Sequence, residues 1–288
     1  MERGPGVRRV IALTLGWERL PKTVSVHGDT SGEILVEPVP GVLLECDGGW
    51  VLLDTGFNPA LLRDPALRRR FHDPAHGIEA ILPGPGEPLE EALEGAGIAV
   101  EDIRAVAVSH LHNDHAGGLR LFAATTPVHV QRAELDYGLG SHPEPERHGI
   151  YRVDFDDPRL DWQVADGDTE IAPGVTAILT AGHTPGHQSF VVDVDPSAGS
   201  GGFVFAFDAA DLTENLDREV AVGGYIDCEP EATVEAIRRL KALAAERGYP
   251  VIPGHDPVAW PSLTEELAAR WPTAARSARI ANAVNEQP

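Results

Sequence analysis

The feature that most constrains this chain is a polar cluster that follows directly on the apolar run Ala105–Val108. The cluster extends from His110 to His115, has the sequence HLHNDH, and holds three imidazoles and a carboxylate in six positions. The apolar run predicts a buried strand, so the cluster falls where that strand ends and a loop begins. Because alternate residues of an extended chain project to the same side, we expect His110, His112 and Asp114 to converge, with His115 reaching in from the turn.

Neutral imidazole and carboxylate are the ligands that a divalent metal such as zinc prefers. The cluster therefore predicts a metal site at the end of a strand. A solvated histidine-rich turn is the alternative interpretation. The spacing excludes the helical H-E-x-x-H motif of zinc proteases.

Three further predicted strands lead to a residue that can bind metal. They are Val175–Thr180 before His183, Phe203–Phe207 before Asp208, and Tyr249–Ile252 before His255. A carboxylate after such apolar neighbours is costly unless it is paired or bound to metal. Strand ends are where α/β proteins place their chemistry, so we expect these residues to share one edge with the cluster.

Five histidines and two aspartates are more donors than one tetrahedral metal site uses. Two adjacent ions, roughly 3.5–4 Å apart, would use all of them, with Asp208 as a bridge. One ion would lie among His110, His112 and His183. The other would lie among Asp114, His115 and His255.

Two more residues are candidates for supporting this site. Asp54 closes the predicted strand Trp50–Leu53, where it either caps a turn or orients a metal-binding histidine. His187 follows a Pro-Gly turn after His183, and we expect it to support the site by hydrogen bonding.

The composition limits the class of protein. A chain of 288 residues, 42% hydrophobic and 24% charged, fits one domain over 1–288, with loop-rich insertions at about 57–87 and 138–161 and a peripheral C-terminal tail. The net charge of −22 argues against nucleic acid and anionic membranes as partners, because polyanions are repelled. No apolar stretch has spanning length, and Cys46 and Cys228 are too few for a disulfide framework, so we expect a cytoplasmic protein.

The order of these motifs resembles the metallo-β-lactamase superfamily. The chain has H-x-H-x-D-H, then G-H-T-P-G-H, an aspartate at a strand end and a late G-H, and the similarity extends from about Val39 to His255. The resemblance implies an α/β (α+β) fold, a four-layer αββα sandwich with helices outside two packed sheets. It also implies two divalent metal ions as cofactors, with Zn²⁺ the preferred assignment, in a binuclear site at one edge.

Within that superfamily, three segments are most similar to the N-acyl homoserine lactone lactonases: His110–Gly118, Gln131–Glu134 and His183–Ser189. This resemblance implies a quorum-quenching hydrolase in which a hydroxide that bridges two metals attacks the ester carbonyl of a lactone. Asp114 would hold its metal and pass a proton to the leaving oxygen. The partner would be a small lactone or other ester, and a homodimer is left open.

One residue departs from the lactonase pattern. The lactonases place a tyrosine three residues after the bridging aspartate, whereas this chain has Asp211 there. Either Tyr225 or Tyr137 takes the place of that tyrosine, or the metal carries the oxyanion alone, or Asp211 meets a different, amine-bearing substrate. Asp211 is therefore a candidate catalytic residue together with Asp114.

Other branches of the superfamily fit less well. Flavodiiron-type members have a glutamate at the position of His112, and zinc β-lactamases often have a cysteine at the position of Asp208. Glyoxalase II adds a helical domain, for which the residues after His255 are too few, and nucleases favour a basic face. Another ester, a thioester or a phosphoester is the alternative substrate class, and a metal-binding protein without turnover is the alternative to an enzyme.

Overall fold

Two β-sheets form the centre of the molecule in the computed structural model, which describes residues 6–73, 75, 77–141, 148–199, 201–223 and 230–272. The described strands are β1 (Arg9–Pro21), β2 (Ile34–Cys46), β3 (Gly49–Leu53), β4 (Glu79–Ile81), β5 (Ile103–Ala107), β6 (Pro127–Gln131), β7 (Asp161–Ala165), β8 (Thr169–Ala172), β9 (Val175–Leu179), β10 (Gln188–Asp193), β11 (Gly202–Phe207) and β12 (Val251–Pro253). The first sheet has the order β4-β1-β2-β3-β5-β6-β7, and the second has the order β12-β11-β10-β9-β8.

The helices connect these strands. Those in the described part of the chain are α1 (Pro59–Arg63), α2 (Pro65–Phe71), α3 (Pro88–Ala96), α4 (Asn113–Ala116), α5 (Arg132–Gly138), α6 (Arg152–Phe155), α7 (Thr213–Arg218), α8 (Pro230–Arg247) and α9 (Ala259–Arg270). None of these helices has both the length and the apolar composition to cross a membrane.

Three apolar layers hold the sheets and helices together. Successive residues of β2 face different layers, as the two-residue period of a strand requires: Leu44 packs with Phe205 between the two sheets, and Leu43 packs on the outer face of the first sheet. On that outer face α3 contributes Leu93, and on the outer face of the second sheet α8 contributes Ile237. The order of layers is thus helix, sheet, sheet, helix, which confirms the αββα sandwich.

Both sheets direct strand ends to one edge of the sandwich. In the first sheet, β5 runs parallel to β3 and β6, and in the second sheet β12 runs parallel to β11. β9 has the same direction as β11, because both are antiparallel to β10. At this edge the Gln188 N–H donates to the Ser109 carbonyl over 2.9 Å, which joins the two sheets. The residues that follow β3, β5, β9, β11 and β12 therefore meet there.

The segment 57–87 is more regular than the sequence predicts. An irregular stretch with one short helix is expected, whereas the structure has α1, α2 and β4. Pro59 and Pro65 are the reason, because each lies in the first turn of a helix, where the missing N–H of proline leaves no hydrogen bond unmade. The side chains of Asn58 and Asp64 cap the same two helices.

The polar cluster is also partly helical. The expected loop over His110 to His115 is instead extended at His112 and then enters the single turn α4. Asp114 therefore does not alternate with His110 and His112 along an extended chain, as the sequence argument assumed. It lies beside His115 on a helical turn, and this turn sends both side chains to a different part of the edge.

A buried aspartate on α6 provides a pH test of the fold. Asp154 accepts a hydrogen bond from Asn58 Nδ2 at 2.7 Å, but its second oxygen has no partner among the described residues, and burial raises its pKa to about 7. A carboxyl whose folded pKa exceeds its unfolded value of 3.8 stabilises the fold at low pH, and that stability is lost as pH rises through about 7.

We therefore expect Asp154→Asn to gain stability relative to the wild type between pH 4 and pH 8. The expected gain is about 2–4 kcal/mol in the free energy of unfolding, because one pKa unit corresponds to ~1.4 kcal/mol. Urea unfolding across this pH range measures it. The exposed Asp136→Asn variant serves as the control and should follow the wild type at every pH, and a pH-independent difference for Asp154→Asn would contradict the prediction.

Candidate metal centre

Two groups of three donor side chains lie at the shared edge of the sheets. His110 and His112 follow β5, His183 follows β9, and one nitrogen of each lies within 4.8 Å of the other two. The second group consists of Asp114, His115 and His255, again with one donor atom each inside that distance. All six side chains are buried. The two groups are the same two triplets that the sequence assigns to separate ions.

Asp208 lies between the two triplets. Its Oδ2 is 3.8 Å from His110 Nε2 and 3.5 Å from His183 Nε2. Its Oδ1 is 3.2 Å from His115 Nε2 and 3.0 Å from His255 Nε2. Each carboxylate oxygen thus faces a different triplet, which is the geometry of a bridging ligand.

The donor set fits two divalent metal ions. In the described residues the buried Nε2 of His110 has no hydrogen-bond partner, and the Nε2 of His183 faces the Nδ1 of His112 at 2.9 Å. A buried ring nitrogen without a hydrogen-bond partner, such as that of His110, is costly unless a ligand binds to it. Imidazole nitrogens with carboxylate oxygens are a donor set suited to zinc.

In three of the histidines a protein group holds the opposite ring nitrogen, which fixes how that imidazole points. His110 Nδ1 lies 2.9 Å from Ser109 Oγ, and His115 Nδ1 lies 2.7 Å from Asp54 Oδ2. His255 Nδ1 donates to the Pro38 carbonyl over 3.0 Å. Such partners select the tautomer in which the other nitrogen is free to bind a metal.

Asp54 supports His115 and the strand before it, and this geometry favours its orienting function over a simple turn cap. Its Oδ1 accepts from the Ser109 N–H at 2.6 Å, and its Oδ2 accepts from Ser109 Oγ at 2.7 Å as well as from His115. The residue is fully buried and adopts a positive φ of 58°. The sequence signal for it is its position at the end of β3, next to β5 in the sheet.

We expect Asp54→Asn to weaken metal binding by roughly 10- to 100-fold, which is typical of the loss of a group that orients a metal-binding histidine. Asparagine tolerates the left-handed backbone of this position, so the substitution tests the hydrogen bond to His115 and not backbone strain. Competition with a chromogenic chelator measures the affinity. Wild-type affinity in a folded variant would exclude this function of Asp54.

Glu134, at the start of α5, ties the two histidine-bearing loops together. Its Oε1 accepts from the Leu111 N–H at 2.9 Å, and its Oε2 accepts from Thr184 Oγ1 at 2.6 Å and from the Gly186 N–H at 3.1 Å. A Cβ on Gly186 would lie 2.0 Å from the Glu134 nitrogen, so this close approach requires glycine. Burial raises the pKa of Glu134 to about 7. The sequence includes this residue in a lactonase-like segment but gives no sign of its hydrogen bonds.

Comparison with known proteins agrees with this geometry. A family model for the metallo-beta-lactamase superfamily matches residues 35–255. The chain belongs to the metallo-β-lactamase superfamily. That match covers β2 to His255 and includes every residue of the two triplets and Asp208.

The chain is similar to N-acyl homoserine lactonases of this superfamily. An N-acyl homoserine lactonase of Bacillus sp. is 34% identical over 230 residues, which are 79% of this chain and 84% of that protein. The N-acyl homoserine lactonase AttM of Agrobacterium fabrum is 34% identical over 230 residues, which are 77% of this chain and 83% of that protein. A solved structure of an N-acyl homoserine lactone hydrolase with its product N-hexanoyl-L-homoserine at the catalytic metal center has a TM-score of 0.75 and 30% identity, and the match covers 89% of this chain and 96% of that one. The resemblance to the superfamily and to its lactonases is confirmed.

The carboxylates and histidines at this edge shift one another's pKa values. Burial alone would raise the pKa of Asp208, but the neighbouring His115 and His255 hold it well below its usual value. Burial alone would lower the pKa of the His115 imidazole, but Asp114 and Asp208 hold that pKa well above its usual value. The carboxylates at this edge therefore attract positive charge, which a divalent cation supplies.

His187 and Asp211 lie beside the triplets. His187 Nδ1 is 2.9 Å from Thr180 Oγ1, and its ring centre is 5.3 Å from that of His110. One oxygen of Asp211 lies within 4.8 Å of donor atoms of Asp208 and His255. The hydrogen bond of His187 is made to Thr180, and one ring nitrogen of His187 lies within 4.8 Å of donor atoms of His110 and Asp208. That His187 supports the site stays a prediction.

A pocket of about 760 Å³, measured with the space open to solvent, leads to the metal centre. Three segments contribute to its wall: Leu20 at the end of β1 with Val24 just after it, Phe71 to Asp73 from the segment 57–87, and His148, Gly149 and Tyr151 from the segment 138–161. Both segments in which the sequence predicts insertions therefore line the pocket.

The tyrosine expected to replace that of the lactonases is not among the described pocket residues. Tyr137 packs against the outer face of the first sheet and does not line the pocket, and Tyr225 lies outside the described residues. Tyr151 does line the pocket, but its hydroxyl donates to the Phe71 carbonyl. Two residues absent from the sequence prediction, Glu18 and Glu37, line it as well.

Proposed function

We propose that this protein is a metal-dependent hydrolase that opens the ring of a lactone, either an N-acyl homoserine lactone or a related lactone. The observation that carries the proposal is the position of Asp208, whose two oxygens face two separate triplets of donors. The sequence similarity to N-acyl homoserine lactonases, which is 34% identity over more than three quarters of the chain, supports the proposed substrate class.

Seven side chains are proposed to hold two divalent ions, for which we favour zinc. They are His110, His112 and His183 for one ion, Asp114, His115 and His255 for the other, and Asp208 for both. When bound, such a pair of ions makes water nucleophilic at neutral pH and polarises an ester carbonyl.

The net reaction consumes one water. The water oxygen forms a bond to the carbonyl carbon and the ring C–O bond breaks. One proton of the water goes to the departing ring oxygen, and the second is released when the new carboxylic acid ionises.

Asp114 is the residue proposed to carry the first proton. It lines the pocket, and its Oδ2 lies 3.0 Å from His115 Nε2. A carboxylate in that position can take a proton from the attacking water and pass it to the leaving alkoxide. Asp54 and the Pro38 carbonyl hold the histidines still while this occurs.

Asp211 is proposed to contact the substrate. It lines the pocket three positions after Asp208, where the lactonase pattern has a tyrosine. Burial and the neighbouring Asp208 raise the pKa of Asp211 well above its usual value. Only the protonated carboxyl can donate a hydrogen bond to the substrate carbonyl as that tyrosine does, whereas the ionised carboxylate can only accept one.

Hydrolysis of a small panel of esters tests the proposal. The panel contains N-acyl homoserine lactones of several chain lengths, an unsubstituted γ-lactone, a thioester and a phosphotriester, each followed by acid release at constant pH. We expect the lactones to be opened fastest. Turnover confined to the thioester or the phosphotriester would keep the superfamily and replace the substrate class. The cytoplasmic location and the homodimer stay predictions from the sequence.

A further inference from the structure

Two glutamates face each other on the wall of the pocket. Glu18 of β1 and Glu37 of β2 are direct partners in the antiparallel ladder, and both side chains line the pocket. Like charges at directly opposed positions destabilise a sheet. Glu37 is 2% exposed and accepts a hydrogen bond from Ser25 Oγ at 2.6 Å, which holds its carboxylate in place.

A third carboxylate, that of Asp211, completes the group. Asp211 is only 6% exposed, lines the same pocket, and its Oδ1 is buried with no hydrogen-bond partner in the described residues. A buried carboxylate oxygen without a partner is costly, and the cost falls when a donor or a cation binds to it. Asp211 therefore requires a partner that the described part of the protein does not supply.

The described wall of the pocket contains neither lysine nor arginine. Of its histidines, His112, His183 and His255 belong to the metal triplets, and His72 and His148 lie in the segments 57–87 and 138–161. The two triplets and the shared Asp208 supply the donors proposed for the ions. Among the described residues neither Glu18 nor Glu37 belongs to a group of donors close enough to hold a metal, whereas Asp211 lies near Asp208 and His255. Three carboxylates can accept the three N–H bonds of a primary ammonium group.

We propose that this pocket prefers lactones that carry a positively charged amine close to the ester. The inference rests on the proposed function and gives the substrate class of the same site. The ammonium group binds among Glu18, Glu37 and Asp211. Because an oxygen of Asp211 lies within 4.8 Å of donor atoms of Asp208 and His255, the amine is attached within one or two bonds of the lactone ring. A neutral acyl chain leaves the three carboxylates without a partner and is the poorer substrate.

An isosteric pair of lactones tests this inference. α-(Aminomethyl)-γ-butyrolactone is cationic at neutral pH, and α-ethyl-γ-butyrolactone has the same shape without the charge. For each we would measure kcat/KM with the metal-loaded protein, and the affinity by calorimetry. The amine also changes the intrinsic reactivity of the ring. We therefore take the ratio of kcat/KM for the cationic lactone to kcat/KM for the neutral lactone, called the cationic-to-neutral ratio, and compare it between variants. The intrinsic reactivity cancels in that comparison.

Glu37→Gln and Glu18→Gln remove one charge each and keep the shape of the side chain. We expect either substitution to lower the cationic-to-neutral ratio about tenfold or more, the size of the coupling lost when one partner of a close charge pair is neutralised. Glu101→Gln is the matched control, because this exposed glutamate precedes β5 at the opposite end of the strand from the metal site. The control should keep the wild-type ratio.

The outcomes separate this inference from the proposed function. A ratio that stays unchanged in both pocket variants overturns the ammonium site while lactone hydrolysis stands. A third equivalent of metal that binds to the wild type and not to Glu37→Gln also overturns it, since the acids would then form a cation site of their own. If neither lactone is opened, lactone hydrolysis fails as the function. The ammonium site is then tested by calorimetry alone, through the ratio of the affinity for the cationic lactone to that for the neutral lactone. A tenfold fall of this ratio in Glu37→Gln supports the ammonium site, and an unchanged ratio overturns it.

Discussion

Replacing Asp208 by alanine is expected to lower kcat/KM for lactone opening by on the order of 10³-fold or more, because a metal pair contributes several kcal/mol to the stabilisation of charge in the transition state. Asp208 is the only side chain among the described residues with one oxygen toward each triplet. Without it, four histidines lose their shared anion. We therefore also expect the amount of tightly bound metal to fall from two equivalents to one or less.

The measurement combines acid release at constant pH with metal analysis of the same sample. Asp217→Ala, in an exposed position at the end of α7, serves as the matched control and should keep both activity and metal. Thermal unfolding of the metal-free proteins shows whether Asp208→Ala still folds. A folded variant with two bound ions and full activity would show that Asp208 does not bridge.

Replacing Glu134 by alanine is expected to have the largest effect on stability. The substitution leaves the Leu111 N–H, the Thr184 hydroxyl and the Gly186 N–H without their buried acceptor. Each unsatisfied group costs about 1–3 kcal/mol, so a loss of roughly 3–5 kcal/mol in the free energy of unfolding is expected. Because these groups belong to the loops that carry His112 and His183, the affinity for metal should fall as well.

The pH dependence distinguishes this effect from simple loss of packing. Burial raises the pKa of Glu134 to about 7, above its unfolded value of 4.5, so its stabilising contribution is full below pH 4.5 and decreases as pH rises through about 7. Urea unfolding of the metal-free proteins should therefore show a larger penalty for Glu134→Ala at pH 6 than at pH 8. Glu134→Gln keeps the acceptor for Leu111 and should be less destabilised than alanine. An equal penalty at both pH values would show that Glu134 does not titrate at a higher pH in the folded protein than in the unfolded one.

The candidate metal centre could be predicted because the residues next to each donor in the sequence indicate where that donor lies. Each donor follows an apolar run, and a strand that ends at a polar residue places that residue at the edge of a sheet. His110, His183, Asp208 and His255 are all found at that edge, as the sequence predicts. Parallel strands bring such ends together whatever the loops between them do.

The pocket could not be predicted in the same way. Glu18 and Glu37 become neighbours only through the register of β1 and β2, which two 13-residue strands do not reveal from their composition. Glu134 is important through hydrogen bonds to loops that are 23 and about 50 residues away in sequence. The prolines that begin α1 and α2 are compatible with loops and with helix starts, and only the packing decides between them.

In the proposed function this edge of the fold binds two metal ions for hydrolysis. The most direct test is to strip the protein with chelator, titrate it with Zn²⁺, and follow the bound metal by elemental analysis together with the opening of an N-acyl homoserine lactone. We expect saturation at about two equivalents, with activity that appears as the second ion binds. Saturation below one equivalent in folded protein, or full activity of the metal-free protein, would contradict it.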